Sequence, residues 1–256
     1  MSSLIADNRR KVLLITGASR GIGAATARLA AVRGYDIAVN YASNVEAAEA
    51  VVADAERVGA RAIAIRADVA QEAEVERLFA ETERRLGPLW GLVNNAGIVG
   101  PASRLDAADA ATIKAVMDLN VVGAFLCARA AVQRLSTNGG GKGGVIVNIS
   151  SGAATLGSPG DFVWYAASKA AVDTLTIGLA REVAREGIRV NAVAPGLVDT
   201  DIHDSTGIPD RVAEMSPNIP LGRAGTAEEI AETILFLLSD ASSYVTGAVL
   251  RVAGGR

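Results

Sequence analysis

At 256 residues, half of them hydrophobic and 4% aromatic, the chain can bury one substantial core built mainly from Ala, Val and Leu. That excludes a disordered segment and a small disulfide-stapled scaffold, and the lone Cys127, in the apolar run VVGAFLCARAAV, reads as inert packing. A formal net charge of −3 lacks the basic surface that phosphate backbones demand, so nucleic acid is not an expected partner.

MSSLIADNRRK carries no long apolar leader core, and no apolar run approaches the ~18 residues of a spanning helix, so a soluble cytoplasmic protein is expected. KVLLIT (11–16) reads as a first strand that runs straight into TGASRGIGAATARLA (16–30), which opens a helix. Gly17, Gly21 and Gly23, with Ser19, Arg20 and Ile22 between them, form G-x-x-x-G-x-G. The missing side chains would let backbone amides and a helix N-terminus approach a pyrophosphate. A tight strand-to-helix turn without any ligand would use the same glycines; the position after the first strand favours a dinucleotide.

DIAVN (36–40) is the second strand. An acid at its end would accept the adenosine ribose hydroxyls and repel a 2′-phosphate. That place falls at Asn40, followed by Tyr41, Ala42, Ser43 and Asn44, all uncharged, while Arg20 stands within reach of a phosphate. NADP(H) is therefore expected over NAD(H), which stays possible. RAIAIRA (61–67) ends at Asp68 and Val69, placed to meet an adenine amino group and ring. WGLVNN (90–95) runs into Asn95, Ala96 and Gly97, small enough for the chain to lie against the same ligand, although a plain turn also uses Asn and Gly.

Asn120, in MDLNVVGAF, is a polar residue in an apolar helical stretch, where Asn is unfavourable without a partner such as a buried backbone group. TNGGGKGG (137–144) reads as a flexible turn before the fifth strand, GVIVNIS (144–150). In VWYAASKAAVDTL (163–175), Tyr165 and Lys169 are four residues apart and share one helix face. IRVNAVA (188–194) and AVLRV (248–252) complete seven strands. Between them, stretches such as EVERLFAETERRL and AEEIAETILFLL carry helical spacing, so the fold class is α/β: one Rossmann-type, doubly wound domain over 1–256 with a seven-stranded parallel sheet. The segment at about 197–222, rich in Pro, Gly and polar residues, reads as a lid, with the single histidine, His203, a polar residue on it. No Cys/His or acidic cluster has metal-ligand spacing, so no metal is expected.

Taken in order, TGASRGIG, NNAG, Asn120, NISS, Tyr165-x-x-x-Lys169 and RVNAVAPG resemble the short-chain dehydrogenase/reductase family across nearly the whole chain. Within it the chain is similar to bacterial sugar or polyol dehydrogenases and carbonyl reductases. The resemblance implies a small-molecule carbonyl or secondary alcohol as substrate and Tyr165 as proton donor in reduction and acceptor in oxidation. A free phenol titrates at about 10, and a nearby Lys169 ammonium would pull that value down. The resemblance also gives Lys169 a bond to the nicotinamide ribose.

Ser151 would donate to the carbonyl oxygen, with Ser150 the neighbouring alternative, because the interval to Tyr165 is one residue longer than in many relatives. Asn120 would hold a water that relays protons. Pro195 and Gly196 would turn over the nicotinamide, with Val198 and Thr200 on its carboxamide. A homotetramer is expected on the same ground. The leading expectation is an NADP(H)-dependent oxidoreductase interconverting a carbonyl and a secondary alcohol. The alternatives are an NAD(P)-dependent sugar or polyol dehydrogenase and, further off, a dinucleotide-sensing protein without turnover.

Overall fold

The computed structural model describes residues 10–208 and 210–256, with backbone alone at 203–205. The expectations placed on residues 1–9 and on the His203 side chain lie outside the described residues. Seven strands form one parallel sheet: β1 (Lys11–Ile15), β2 (Tyr35–Tyr41), β3 (Ala62–Arg66), β4 (Leu89–Asn94), β5 (Gly144–Ile149), β6 (Ile188–Pro195) and β7 (Val249–Val252). Their order is β3-β2-β1-β4-β5-β6-β7. The winding reverses between β1 and β4, and a crevice opens there beyond the carboxyl ends of the strands.

Alternation along each strand divides the core in two. Leu13 and Ile15 point to one face, where α1 (Gly21–Val32), α2 (Val45–Arg57) and α9 (Ala227–Leu238) cover them. Leu14 points to the other, against Phe79 of α3 (Glu72–Leu86) and Cys127 of α5 (Ala124–Leu135), beside α7 (Val163–Val183). Burial pushes the Cys127 thiol up to about 12, so it packs as a small apolar group.

α4 (Ala110–Met117) passes through a π-helical segment, Asp118–Gly123, into α5. Together they make a helix of 26 residues, Ala110–Leu135, long and apolar enough to cross a bilayer by length and composition. This corrects the expectation that no stretch comes near that limit. The helix is a core element here: Cys127, Ala130, Ala131 and Leu135 are sealed into the sheet-facing cluster.

TNGGGKGG is also tighter than expected. Gly141 and Gly143 donate backbone hydrogen bonds to Ser136 and Leu135, both at 2.8 Å, so the turn is locked onto the end of α5. Beyond β5 come a short α6 (Ala153–Leu156) and then α7; α8 (Arg211–Met215) lies between β6 and α9.

Candidate active site

The carboxyl ends of the strands hold a cavity of about 710 Å³. At one end the β1–α1 turn is braced from three strands. Thr16 Oγ1 accepts from the backbone of Asn95 and Ala96 at 2.9 and 3.0 Å, and Asn95 Nδ2 donates to the Thr16 and Gly17 carbonyls at 2.8 and 3.0 Å. Gly17 has φ +61°, which glycine alone adopts freely, and a Cβ at Gly23 would lie 2.7 Å from the Gly17 carbonyl. Arg20 begins α1 without a side-chain cap, so the first amides of the helix are left for another acceptor. This is a cradle that fits a pyrophosphate.

Asn40 is a correction of role. Its amide is buried and engaged, accepting from Gly17 N at 3.1 Å and donating to the Ala67 carbonyl at 3.0 Å. It therefore holds the glycine turn, and the residues beyond it, Tyr41 to Asn44, form the rim where a ribose would lie. No carboxylate is among them. Arg20 is exposed and makes no ion pair among the described residues, while Arg66 Nε fixes the rim by donating to the Ala42 carbonyl at 3.1 Å. Asp68 accepts from Ala70 N at 3.0 Å, and Val69 is buried at the cavity wall.

At the other end, β5 and α7 bring together Ser150, Ser151, Tyr165 and Lys169. Ser151 lies beside the Tyr165 phenol at the cavity wall and accepts from Ala153 N at 3.1 Å. Ser150 turns inward, donating to the Lys169 carbonyl at 3.3 Å. The two serines are thus separated by orientation, and the loop leading to Tyr165 turns through Gly157, Ser158 and Gly160, all at positive φ.

Lys169 Nζ donates to the Ile149 carbonyl at 2.8 Å and sits 5.7 Å from the centre of the Tyr165 ring. Burial pushes the phenol of Tyr165 up, against the lowering effect of the Ser151 hydrogen bond. This corrects the expectation of a lowered phenol: at that distance, burial wins over the ammonium. Lys169 itself is pushed down to about 8 by burial, with Asp173 opposing.

Asn120 lies in the π-helical segment and is almost wholly buried. It accepts from Ile98 N at 2.9 Å and donates to the Ile98 carbonyl at 2.8 Å and to Ser168 Oγ at 3.0 Å. Its side chain thus satisfies a buried backbone pair, one of the two readings its position left open. Apart from Asn120 and Gly23, which stand behind the wall, every expected site residue lines the one cavity, including Pro195, Gly196, Val198 and Thr200 after β6.

Beyond Tyr165 the cavity continues between Val99, Leu156, Phe162 and Met215. The Arg211 guanidinium lies 4.8 Å above the Phe162 ring and pairs with Asp161 at 2.8 Å. Sequence reasoning missed this wall, because nothing local links Arg211 to a residue 50 positions earlier.

A family model described as enoyl-(acyl carrier protein) reductase matches residues 17–256. The chain is 49% identical to the uncharacterized oxidoreductase YgfF of Escherichia coli, over 96% of this chain and 99% of that one. It is 42% identical to a 3-oxoacyl-[acyl-carrier-protein] reductase of Synechocystis, over 96% of each. Among solved structures, a short-chain dehydrogenase of Burkholderia cenocepacia in complex with NADP superposes with a TM-score of 0.88 at 36% identity, over 97% of both chains. With a strong match of this kind along almost its whole length, the chain belongs to the short-chain dehydrogenase/reductase family and is an NAD(P)-dependent oxidoreductase.

Proposed function

We propose that this enzyme reduces a small-molecule carbonyl to a secondary alcohol with NADPH, Tyr165 delivering the proton. The observation that carries the reading is the pairing of two hydroxyls, Ser151 and Tyr165, at one point of the cavity that begins at the glycine cradle. Two O–H donors converging on one place suit an oxygen that gains negative charge, which is what a carbonyl becomes on accepting hydride.

The bound dinucleotide supplies the hydride. The chain supplies the rest. Ser151, whose oxygen already accepts from Ala153 N, has its own hydrogen to give to the substrate oxygen. Tyr165, whose phenol burial pushes up, is protonated at neutral pH and set as the donor in reduction. Lys169 holds a positive charge behind the phenol and faces the cavity where a nicotinamide ribose would lie. Asn120, in the π-helical segment, fixes Ile98 against Ser168 of α7, and the family resemblance gives this residue the proton relay.

NADPH is preferred over NADH on two grounds: an Arg20 that makes no ion pair among the described residues, and a rim from Tyr41 to Asn44 without an acid. The segment at about 197–222 acts as the lid of a single domain working in the cytoplasm. Relatives named for 3-oxoacyl, levodione and cis-4-hydroxycyclohexanecarboxylate substrates bear carbonyl or hydroxyl groups of this kind.

A panel containing 3-oxoacyl thioesters, cyclic diketones, sugars and an enoyl thioester, followed by NADPH absorbance, tests the reading. Turnover confined to carbonyls is expected. Turnover of the enoyl thioester alone, or cofactor binding with no turnover on any substrate, overturns it.

A further inference from the structure

We infer that Arg211 recognises the substrate, and that the carbonyl compound reduced here carries a carboxylate held by that guanidinium across an apolar body. The inference rests on the reading of Ser151 and Tyr165 as the point of carbonyl reduction, and concerns the far end of the same molecule. Arg211 lines the cavity beyond Tyr165. Its side chain is only 10% exposed, and Asp161 takes one donor, Nη2, at 2.8 Å. Nε and Nη1 have no hydrogen-bond partner among the described residues, yet neither is sealed in protein. A nearly buried cation with donors left over at a cavity is costly until an acceptor meets them.

Two neighbours in sequence fix the guanidinium: Asp161 pairs with it, and the Phe162 ring faces it at 4.8 Å. Asp161 is anchored in turn, its carbonyl accepting from Ser103 N at 2.7 Å. Phe162 also sets the span to the chemistry. It meets the Tyr165 ring edge-on at 5.8 Å, so a single aromatic ring lies between the phenol and the guanidinium. Val99, Leu156 and Met215 bound the same stretch, and Trp164 Nε1 holds Val99 by donating to its carbonyl at 3.0 Å. These apolar side chains offer a sugar no partners for its hydroxyls, but they suit a hydrocarbon body. The acids of the cavity leave the arginine's sign in place: the Asp161 side chain is 38% exposed and Asp201 is exposed, so water screens both. A carboxylate matches the remaining donors, which a guanidinium presents as a planar fork.

Methyl ketones that end in a carboxylate, in a series of increasing chain length, differ from their own methyl esters chiefly in charge. Wild type is expected to favour the best acid over its ester by about tenfold or more in kcat/KM. Arg211→Gln is expected to bring that ratio close to one, through a higher KM for the acid. Arg211→Lys, which keeps the charge and loses the fork, is expected to fall between the two. Calorimetry on enzyme loaded with NADP⁺, which has no hydride to give, reads binding without turnover. There too the acid is expected to bind more tightly than its ester.

Acids and esters treated alike by wild type would overturn the inference. So would an Arg211→Gln enzyme that loses both equally, since Arg211 would then only tether its own segment to Asp161. An acid preference that survives Arg211→Gln would move the anion to another cation of the cavity, such as Arg256, and overturn it as well. If Arg211→Gln does not fold, the acid-to-ester ratio of wild type decides. The proposed chemistry fails separately: acids that bind more tightly than their esters, yet are never reduced, would keep the anion site and refute carbonyl reduction.

Discussion

Tyr165 is held where its phenol is buried beside Ser151, so replacing its hydroxyl removes a proton donor and little packing. Tyr165→Phe is expected to lower kcat by at least about a hundredfold while NADPH binding survives, as stopped-flow and fluorescence titration would read. Ser151→Ala is expected to lose most turnover and Ser150→Ala to lose little, because the Ser150 hydrogen is already given to the Lys169 carbonyl. The reverse ranking would reassign the catalytic hydroxyl.

Lys169 gives a pH signature with two opposite signs. Its folded value is about 8 against 10.5 for an ordinary lysine. Above about 8 the ammonium is lost, and kcat/KM for the carbonyl is expected to fall. Over the same interval the unfolded chain still binds that proton while the folded one does not, so the lysine's contribution to stability rises with pH from about 8 to 10.5. Urea unfolding of wild type beside Lys169→Met across that range isolates the effect. A difference between them that is flat with pH would show that Lys169 is not depressed by burial.

At the level of elements, a buried polar ladder ties the site to the sheet. Asn94 Nδ2 on β4 donates to Asn148 Oδ1 on β5 at 3.2 Å, Asn148 Nδ2 donates to Thr176 Oγ1 on α7 at 2.9 Å, and Thr176 donates to the Val172 carbonyl at 2.8 Å. Asn148→Ala would strip a partner from two buried groups and leave a small void. It is expected to cost about 2–3 kcal/mol in urea unfolding, since buried polar networks fail as units.

These elements also show what could be read in advance. All seven strands were legible because parallel strands buried on both faces are nearly continuous apolar runs, and β2 is buried at every position. The glycine turn and the Tyr165–Lys169 pair were legible because their chemistry is local to a few residues. Asn40 was misread in role because its partners, Gly17 and Ala67, come from neighbouring elements. The Phe162–Arg211 wall is likewise an encounter between distant segments, with no periodicity to announce it. The raised phenol escaped for a related reason: burial is a property of the packed whole, whereas the lysine's spacing is a property of one helix.

On the scale of the whole molecule, two surfaces are left more apolar than a solitary chain requires. Val122 and Phe125, on the 110–135 helix, and Ile177, on α7, are each more than a third exposed, on helices that pack against one another. On the far side, β7 is the edge strand, with Leu250 exposed and Phe236 of α9 exposed as well. An open edge strand flanked by apolar side chains invites association with another chain, and a second copy supplies the same elements in reverse order.

Two distinct faces of this kind, each paired with itself, generate a closed assembly of four. Light scattering coupled to gel filtration is therefore expected to give four times the chain mass. Phe125→Glu is expected to halve that mass, with the far-ultraviolet spectrum unchanged, because a carboxylate buried in a helix–helix interface costs more than the contact returns. A wild-type protein that elutes as a monomer at working concentration would leave these faces to some other partner.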